Sequence, residues 1–190
     1  MKIALTGTIG SGKSAVLKII ADMGFKVLNC DEIAHDLQNK GQAGYRAIIE
    51  NFNEVLDENG ELDRYLLAEQ VFNDAHKLAK LNAIMLPLIK DQLIQMMNQY
   101  PLVFVEVPLL FESGFETLFD YNILVFANEI NVIERLKTRG LSLEEINRRI
   151  KSQMDVATKK ARADYLIDNS GTLLELENKV QTLLKEMGIC

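Results

Sequence analysis

Gly7, Gly12, Lys13 and Ser14 stand in the order and spacing G-x-x-x-x-G-K-S within Leu5-Thr6-Gly7-Thr8-Ile9-Gly10-Ser11-Gly12-Lys13-Ser14. This is the pattern of a loop that cradles phosphate. Each residue type has a reason. Glycines let the backbone curl until successive N–H groups converge as a nest for anionic oxygens. Lysine brings a mobile positive charge to β- and γ-phosphates, and the serine hydroxyl is placed to ligate Mg²⁺. Gly10, Ser11, Gly12, Lys13, Ser14 and Ala15 are thus candidate nucleotide-binding residues, with Lys13 also a catalytic candidate and Ser14 the candidate Mg²⁺ ligand. The loop calls for a nucleoside triphosphate, carried with Mg²⁺.

A phosphoryl-transfer site also needs a proton acceptor and cations. Asp31 follows Leu28-Asn29-Cys30 at the end of an apolar segment. In an open parallel sheet that edge faces the ligand, so Asp31 could take a proton from an attacking hydroxyl. It could equally cap the helix that begins near Glu32. Glu106 closes another apolar segment, where either a structural role or water-mediated contact with Mg²⁺ fits; Glu112 has no decisive local signal. Arg135, Lys137, Arg139, Arg148, Arg149, Lys151, Lys159, Lys160 and Arg162 crowd one stretch of an otherwise acidic chain. Each alone reads as a solvated helix face, but the cluster reads as a cationic lid over a triphosphate. His35 and His76 are isolated in sequence and receive neither chemistry nor metal.

Alternating strands and helices must position these groups. Ile3-Ala4-Leu5 reads as a strand and Ser14 to Ala21 as a helix, so the glycine loop joins strand to helix as its mechanism requires. Further strands are expected at Phe25–Leu28, Leu102–Val107, Ile123–Phe126 and Tyr165–Ile167. Gly24 should end the first helix in a left-handed conformation. Capping boxes Ser142-x-x-Glu145 and Thr172-x-x-Glu175 open two later helices. The alternation predicts an α/β fold with a parallel sheet and right-handed crossovers. Asn59-Gly60 marks a turn, and from Asp63 to Gln99 the chain is helical without a strand signal, with Pro87 expected to kink or divide a helix. An extra packing layer and a substrate-capping insert both fit that stretch.

At 190 residues, 48% hydrophobic and 25% charged, the chain suits one α/β domain with elaborations. The net charge of −6 argues against nucleic acid or an anionic membrane as the main partner. Cys30 and Cys190 build no disulfide framework, and Cys30 reads as a small buried residue. No apolar run approaches membrane-spanning length, and a strand starting at Lys2 leaves no room for a signal peptide, so a cytoplasmic location is expected.

Taken in order, these segments closely resemble the dephospho-coenzyme A kinases, over nearly the whole length. The likeness is carried by Ala4-Leu5-Thr6-Gly7-x-Ile9 to Ser14, Asp31-Glu32-Ile33-Ala34, Asp63-Arg64 with Val71-Phe72, and Leu81-Asn82 with Pro87-Leu88-Ile89. It continues through Val107-Pro108-Leu109-Leu110-Phe111-Glu112, Arg135-Leu136 and Arg139, Arg149-Ile150-x-x-Gln153, and Ala163-Asp164-Tyr165-x-Ile167-Asp168-Asn169-x-Gly171. The resemblance implies a three-layer P-loop NTPase fold with a five-stranded parallel sheet, a helical substrate insert at about 60–100 and a helical lid at about 130–162, all in a single kinase domain over 1–190. It implies ATP-dependent phosphorylation of the ribose 3′-hydroxyl of dephospho-coenzyme A, with Mg²⁺. It also implies that Asp31 is the base, Arg139 a catalytic lid arginine, Arg64 a substrate contact and Asn169 a neighbour of the adenine. Neither nucleic acid nor membrane is implied as a partner, and a monomer or small homo-oligomer is expected. Three positions depart from the family pattern: Ala15 for a common Thr, Asn29 for a common Asp, and Leu86 for a common His. The alternative is another P-loop small-molecule or nucleoside monophosphate kinase. A GTPase-type switch would need an N-K-x-D motif, which the sequence lacks.

Overall fold

The computed structural model describes residues 1–72 and 74–189. The described chain divides into two compact units, one of Met1–Asn29 with Tyr100–Cys190 and one of Cys30–Gln99. Cys190 itself lies outside the described residues.

The first unit is built on five strands, β1 (Lys2–Gly7), β2 (Val27–Asn29), β3 (Val103–Glu106), β4 (Tyr121–Phe126) and β5 (Tyr165–Asp168). They pair in parallel in the order β2-β3-β1-β4-β5. The expected strands are all present, with ends shifted by a residue or two. β1 lies between β3 and β4, so the loop that follows it opens where the winding reverses, the place where open α/β sheets bind ligands. Ile3, Leu5, Phe104, Ile123, Val125 and Ile167 form one buried face. They pack against Val16, Leu17 and Ile20 of α1 (Lys13–Asp22) and Leu176, Val180, Leu183 and Leu184 of α9 (Leu173–Glu186). Each such side chain contributes about 1.5–3 kcal/mol through removal from water.

Local chemistry sets the helix ends. Gly24 takes φ 89°, and the N–H groups of Gly24 and Phe25 return to the carbonyls of Ala21 and Ile20. That is the left-handed C-terminal closure expected for a glycine after α1. Both capping boxes form, Ser142 with Glu145 at α7 (Leu143–Lys151) and Thr172 with Glu175 at α9. Asn128 caps α6 (Glu129–Thr138), and Asp155 caps α8 (Val156–Arg162).

The second unit is helical: α2 (Cys30–Leu37), α3 (Ala43–Asn51), α4 (Arg64–Phe72) and α5 (Ala75–Met97). It takes in more chain than the stretch from about 60 to 100 that reads as an insert. Asn59-Gly60 does form a turn, closed by the Leu56–Leu62 bridge and by N–H groups of Asn59 and Glu61 bonded to Asp57 Oδ1. Pro87 does not divide its helix, since α5 runs through it from Ala75 to Met97. Ala83, whose carbonyl loses the Pro87 N–H, and Pro87 itself are both exposed, so water can serve that carbonyl. Met85, Ile89, Leu93 and Met97 meanwhile anchor the buried side. The break in this stretch falls earlier, where the Asp74 carboxylate accepts the N–H groups of His76 and Lys77 and starts α5 afresh.

Candidate active site

The loop between β1 and α1 is as tightly shaped as its glycines suggest. Gly10 and Gly12 take φ 76° and 91°, a region that L side chains rarely adopt. A Cβ on Gly7 would fall 2.3 Å from the Val125 carbonyl oxygen, and one on Gly12 would fall 2.0 Å from Asn169 Nδ2. Lys13 Nζ lies over the loop, donating to the carbonyls of Gly7 at 3.1 Å and Thr8 at 3.3 Å. Ser14 is exposed in the first turn of α1.

Side chains from far along the chain hold this loop. Asn169, buried just past β5, donates from Nδ2 to the Ser11 carbonyl at 2.8 Å. Arg135 on α6 donates from Nη1 to the carbonyls of Gly10 and Ser11 at 3.4 and 3.3 Å, and from Nη2 to the Asn169 carbonyl at 2.8 Å. Gln153, after α7, accepts the Ile9 N–H on Oε1 at 3.0 Å. The bracing roles of Arg135 and Gln153 are absent from the sequence reading. Both residues lie in stretches that carry the family resemblance, but nothing in their local spacing says what they touch.

The basic stretch is not uniform. Lys159 is fully buried, with Nζ 2.8 Å from Glu112 Oε1. Burial works against the charge of Glu112, yet the bonds from Lys159 and from the Met154 N–H hold its carboxyl below the usual range. Arg162 pairs with Glu116 and lies over the Phe111 ring, while Lys160 sits 3.5 Å above the Phe126 ring. Lys159, Lys160, Arg162 and Arg135 therefore serve the fold, which corrects the reading of the whole cluster as a lid surface. Lys137, Arg139, Arg148, Arg149 and Lys151 are exposed, with Arg139 at the C-terminal end of α6, and Arg162 is exposed too but held by Glu116 and Phe111.

Among the carboxylates, Glu106 is buried and accepts from Asn29 Nδ2 at 3.2 Å across the β2–β3 pair. Asp31 and Arg64 belong to the second unit, whereas Lys13, Ser14, Arg139 and Asn169 belong to the first. Asp31 is exposed inside the first turn of α2, which begins at Cys30, so it is not the residue that precedes the helix. A carboxylate there is favoured by the helix dipole. The neighbouring Cys30 thiol is pushed up to about 12 by burial and by the Asp31 charge, as suits an inert core residue. His35 is not isolated: Arg64 lies against its ring, with Nη1 2.8 Å from Nε2, and donates from Nη2 to the His35 carbonyl at 3.3 Å. These two residues help line an open cavity of about 690 Å³ in the second unit, with Asn39, Lys40, Glu61 and Asp63.

Among the described residues no group of three or more His, Cys, Asp or Glu could hold a metal ion by itself. The Ser14 hydroxyl, exposed in the first turn of α1, suits an ion that arrives on nucleotide phosphates. Among those residues, too, no helix is long and apolar enough to cross a membrane.

With this geometry in place, comparison with known proteins is decisive. Residues 1–175 match the family model described as Dephospho-CoA kinase. The chain belongs to the dephospho-CoA kinase family. A relative from Staphylococcus aureus named Dephospho-CoA kinase is 38% identical, covering 98% of this chain and 93% of its own. The crystal structure of TT1252 from Thermus thermophilus superposes with a TM-score of 0.82 at 36% identity, covering 98% of this chain and 97% of that one. The dephospho-CoA kinase from Campylobacter jejuni gives a TM-score of 0.75 at 28% identity and covers 98% of both chains. Membership in the dephospho-CoA kinase family fits the sheet order and the position of the phosphate loop after its central strand.

Proposed function

We propose that this chain transfers the γ-phosphoryl group of ATP to the ribose 3′-hydroxyl of dephospho-coenzyme A, the last step of coenzyme A synthesis, with its residues in the following roles. In the transfer, the 3′-oxygen bonds to the γ-phosphorus as the bond to the β–γ bridging oxygen breaks, leaving coenzyme A and ADP. Asp31 accepts the hydroxyl proton and later releases it to solvent. The backbone of Gly10 to Ala15 cradles the phosphates, and Lys13 moves from the Gly7 and Thr8 carbonyls onto the phosphate oxygens. Arg139 neutralises charge on the phosphoryl group in flight, Arg64 binds dephospho-coenzyme A, and Asn169 adjoins the adenine. Kinases of this kind take ATP with a divalent ion; here Mg²⁺ would be held by Ser14 and the phosphates, where it screens their charge.

The observation that carries the reading is the phosphate loop itself, pinned by Arg135, Asn169 and Gln153 in a chain of this family. We read residues 1–190 as one kinase domain with a substrate insert and a lid, acting in the cytoplasm as a monomer or small homo-oligomer. Purified protein given ATP, Mg²⁺ and dephospho-coenzyme A should release ADP in step with coenzyme A. Silence there, together with turnover of AMP or another small acceptor, would transfer the chain to a different substrate.

A further inference from the structure

We propose that Gln153 is a positioning residue of the nucleotide site, acting through the Ile9 amide; the proposal rests on the reading that the glycine loop binds ATP. The loop from Gly7 to Gly12 carries three glycines, so its own backbone does little to favour one shape. A nest of amides serves phosphate only if it is formed before the ligand arrives, because any ordering left to binding weakens affinity. Arg135 and Asn169 hold the carbonyls of Gly10 and Ser11. They leave the first half of the loop, Thr8 and Ile9, to other contacts. There Lys13 and the Ser11 N–H hold the Thr8 carbonyl, the Ile9 side chain packs on Val132, Leu136 and Ile146, and the Ile9 N–H is donated to Gln153 Oε1 at 3.0 Å.

Gln153 is itself held in place. It follows Ser152, the C-terminal cap of α7, and its N–H returns to the Ile150 carbonyl at 3.3 Å. The next N–H, that of Met154, donates to Glu112 Oε1 at 3.0 Å, and the same oxygen is 2.8 Å from the buried Lys159 ammonium. An ion pair anchored in the core therefore fixes the turn from which Gln153 reaches the loop. The same turn terminates the helix that bears Arg148 and Arg149. Gln153 thus ties the shape of the phosphate loop to the end of that arginine-bearing helix, without needing to touch the nucleotide.

The test compares the full-length protein with Gln153→Leu, Gln153→Asn and Gln153→Glu. ATP and dephospho-coenzyme A affinities are read by calorimetry, and amide hydrogen exchange is read at Ile9 and in β1. Gln153→Leu should weaken ATP binding by about three- to tenfold, the range expected for one partly buried hydrogen bond. Dephospho-coenzyme A affinity should stay unchanged, with faster exchange at Ile9 and no change at Leu5. Gln153→Asn, polar but too short to reach, should behave like Gln153→Leu. Gln153→Glu keeps an acceptor and should restore protection of the Ile9 amide. Unchanged ATP affinity despite an unprotected Ile9 amide would overturn the proposal, as would weakened binding with Ile9 still protected, or equal loss of both affinities. The family reading fails in a different way, by absence of ADP release from the unmodified protein with dephospho-coenzyme A.

Discussion

The phosphate loop and the first turns of α2 and α4 make opposite uses of polar side chains. Around the loop, Arg135, Gln153 and Asn169 turn inward onto backbone more than a hundred residues away in sequence, and Lys159 is buried outright. In the second unit, Asp31 is exposed in its turn of helix, and Arg64 contacts His35 and Asn39 of the neighbouring segment. The first arrangement fixes a shape. The second presents groups from short helices started by local caps, such as Asp63, which accepts the Tyr65 and Leu66 N–H groups before α4. Polar residues of the loop region should therefore matter through stability and nucleotide affinity, and those of the second unit through turnover.

The sharpest challenge to that contrast is Asp31→Asn. It should lower kcat by about 10²- to 10⁴-fold, the span of a lost general base, while ATP binding and Tm hold. Steady-state assay beside calorimetry and thermal melting decides it; near-normal turnover would leave Asp31 with only its favourable place near the start of α2.

Glu112→Gln should have the opposite signature. It strands the Lys159 ammonium in the core, so a loss of about 3–5 kcal/mol is expected in denaturant titration. Lys159→Met should cost less, because it removes the buried charge and leaves a carboxylate that is partly exposed. A pH series adds a second readout. Folding depresses the Glu112 carboxyl, so between the depressed and ordinary values the unfolded chain binds more protons. Its stabilising share is therefore complete above the ordinary carboxylate value and is lost as pH falls through the depressed one. Stability of Glu112→Gln should fall less steeply on acidification than that of the unmodified protein; parallel acid limbs would contradict this account.

The finest comparison lies within one helix region. Arg139→Ala, at an exposed position, should reduce kcat by roughly ten- to a hundredfold, with stability within about 0.5 kcal/mol of the original. Arg135→Ala should instead weaken ATP binding and lower Tm together, since it removes donors from three carbonyls. If the two variants proved indistinguishable, the division between loop-building and charge-presenting arginines would fail.

Much of this was legible without coordinates because it depends on local rules. The Gly7 to Ser14 spacing, Gly24 and the two capping boxes each involve residues within a turn or so of one another, where side-chain type nearly dictates conformation. The apolar runs likewise announced buried parallel strands. Pro87 is expected to kink or divide its helix, and it does not divide it, because an exposed proline can be accommodated when the opposite helix face is anchored, which local sequence does not report. The basic stretch misled for a related reason. Lys159 and Arg139 are alike in composition and neighbourhood, yet one is enclosed beside Glu112 and the other faces water.

Sequence alone determined that the chain carries a nucleotide loop, on which strand-to-helix junction it lies, and, through ordered motifs, to which family it belongs. Only the tertiary structure decided what holds the loop in shape and which cations remain at the surface. Strand order brings the segments after β4 and β5 beside the loop after β1, so Arg135, Gln153 and Asn169 meet it across gaps of more than a hundred residues. Such contacts follow from packing and burial, and no spacing rule along the chain encodes them.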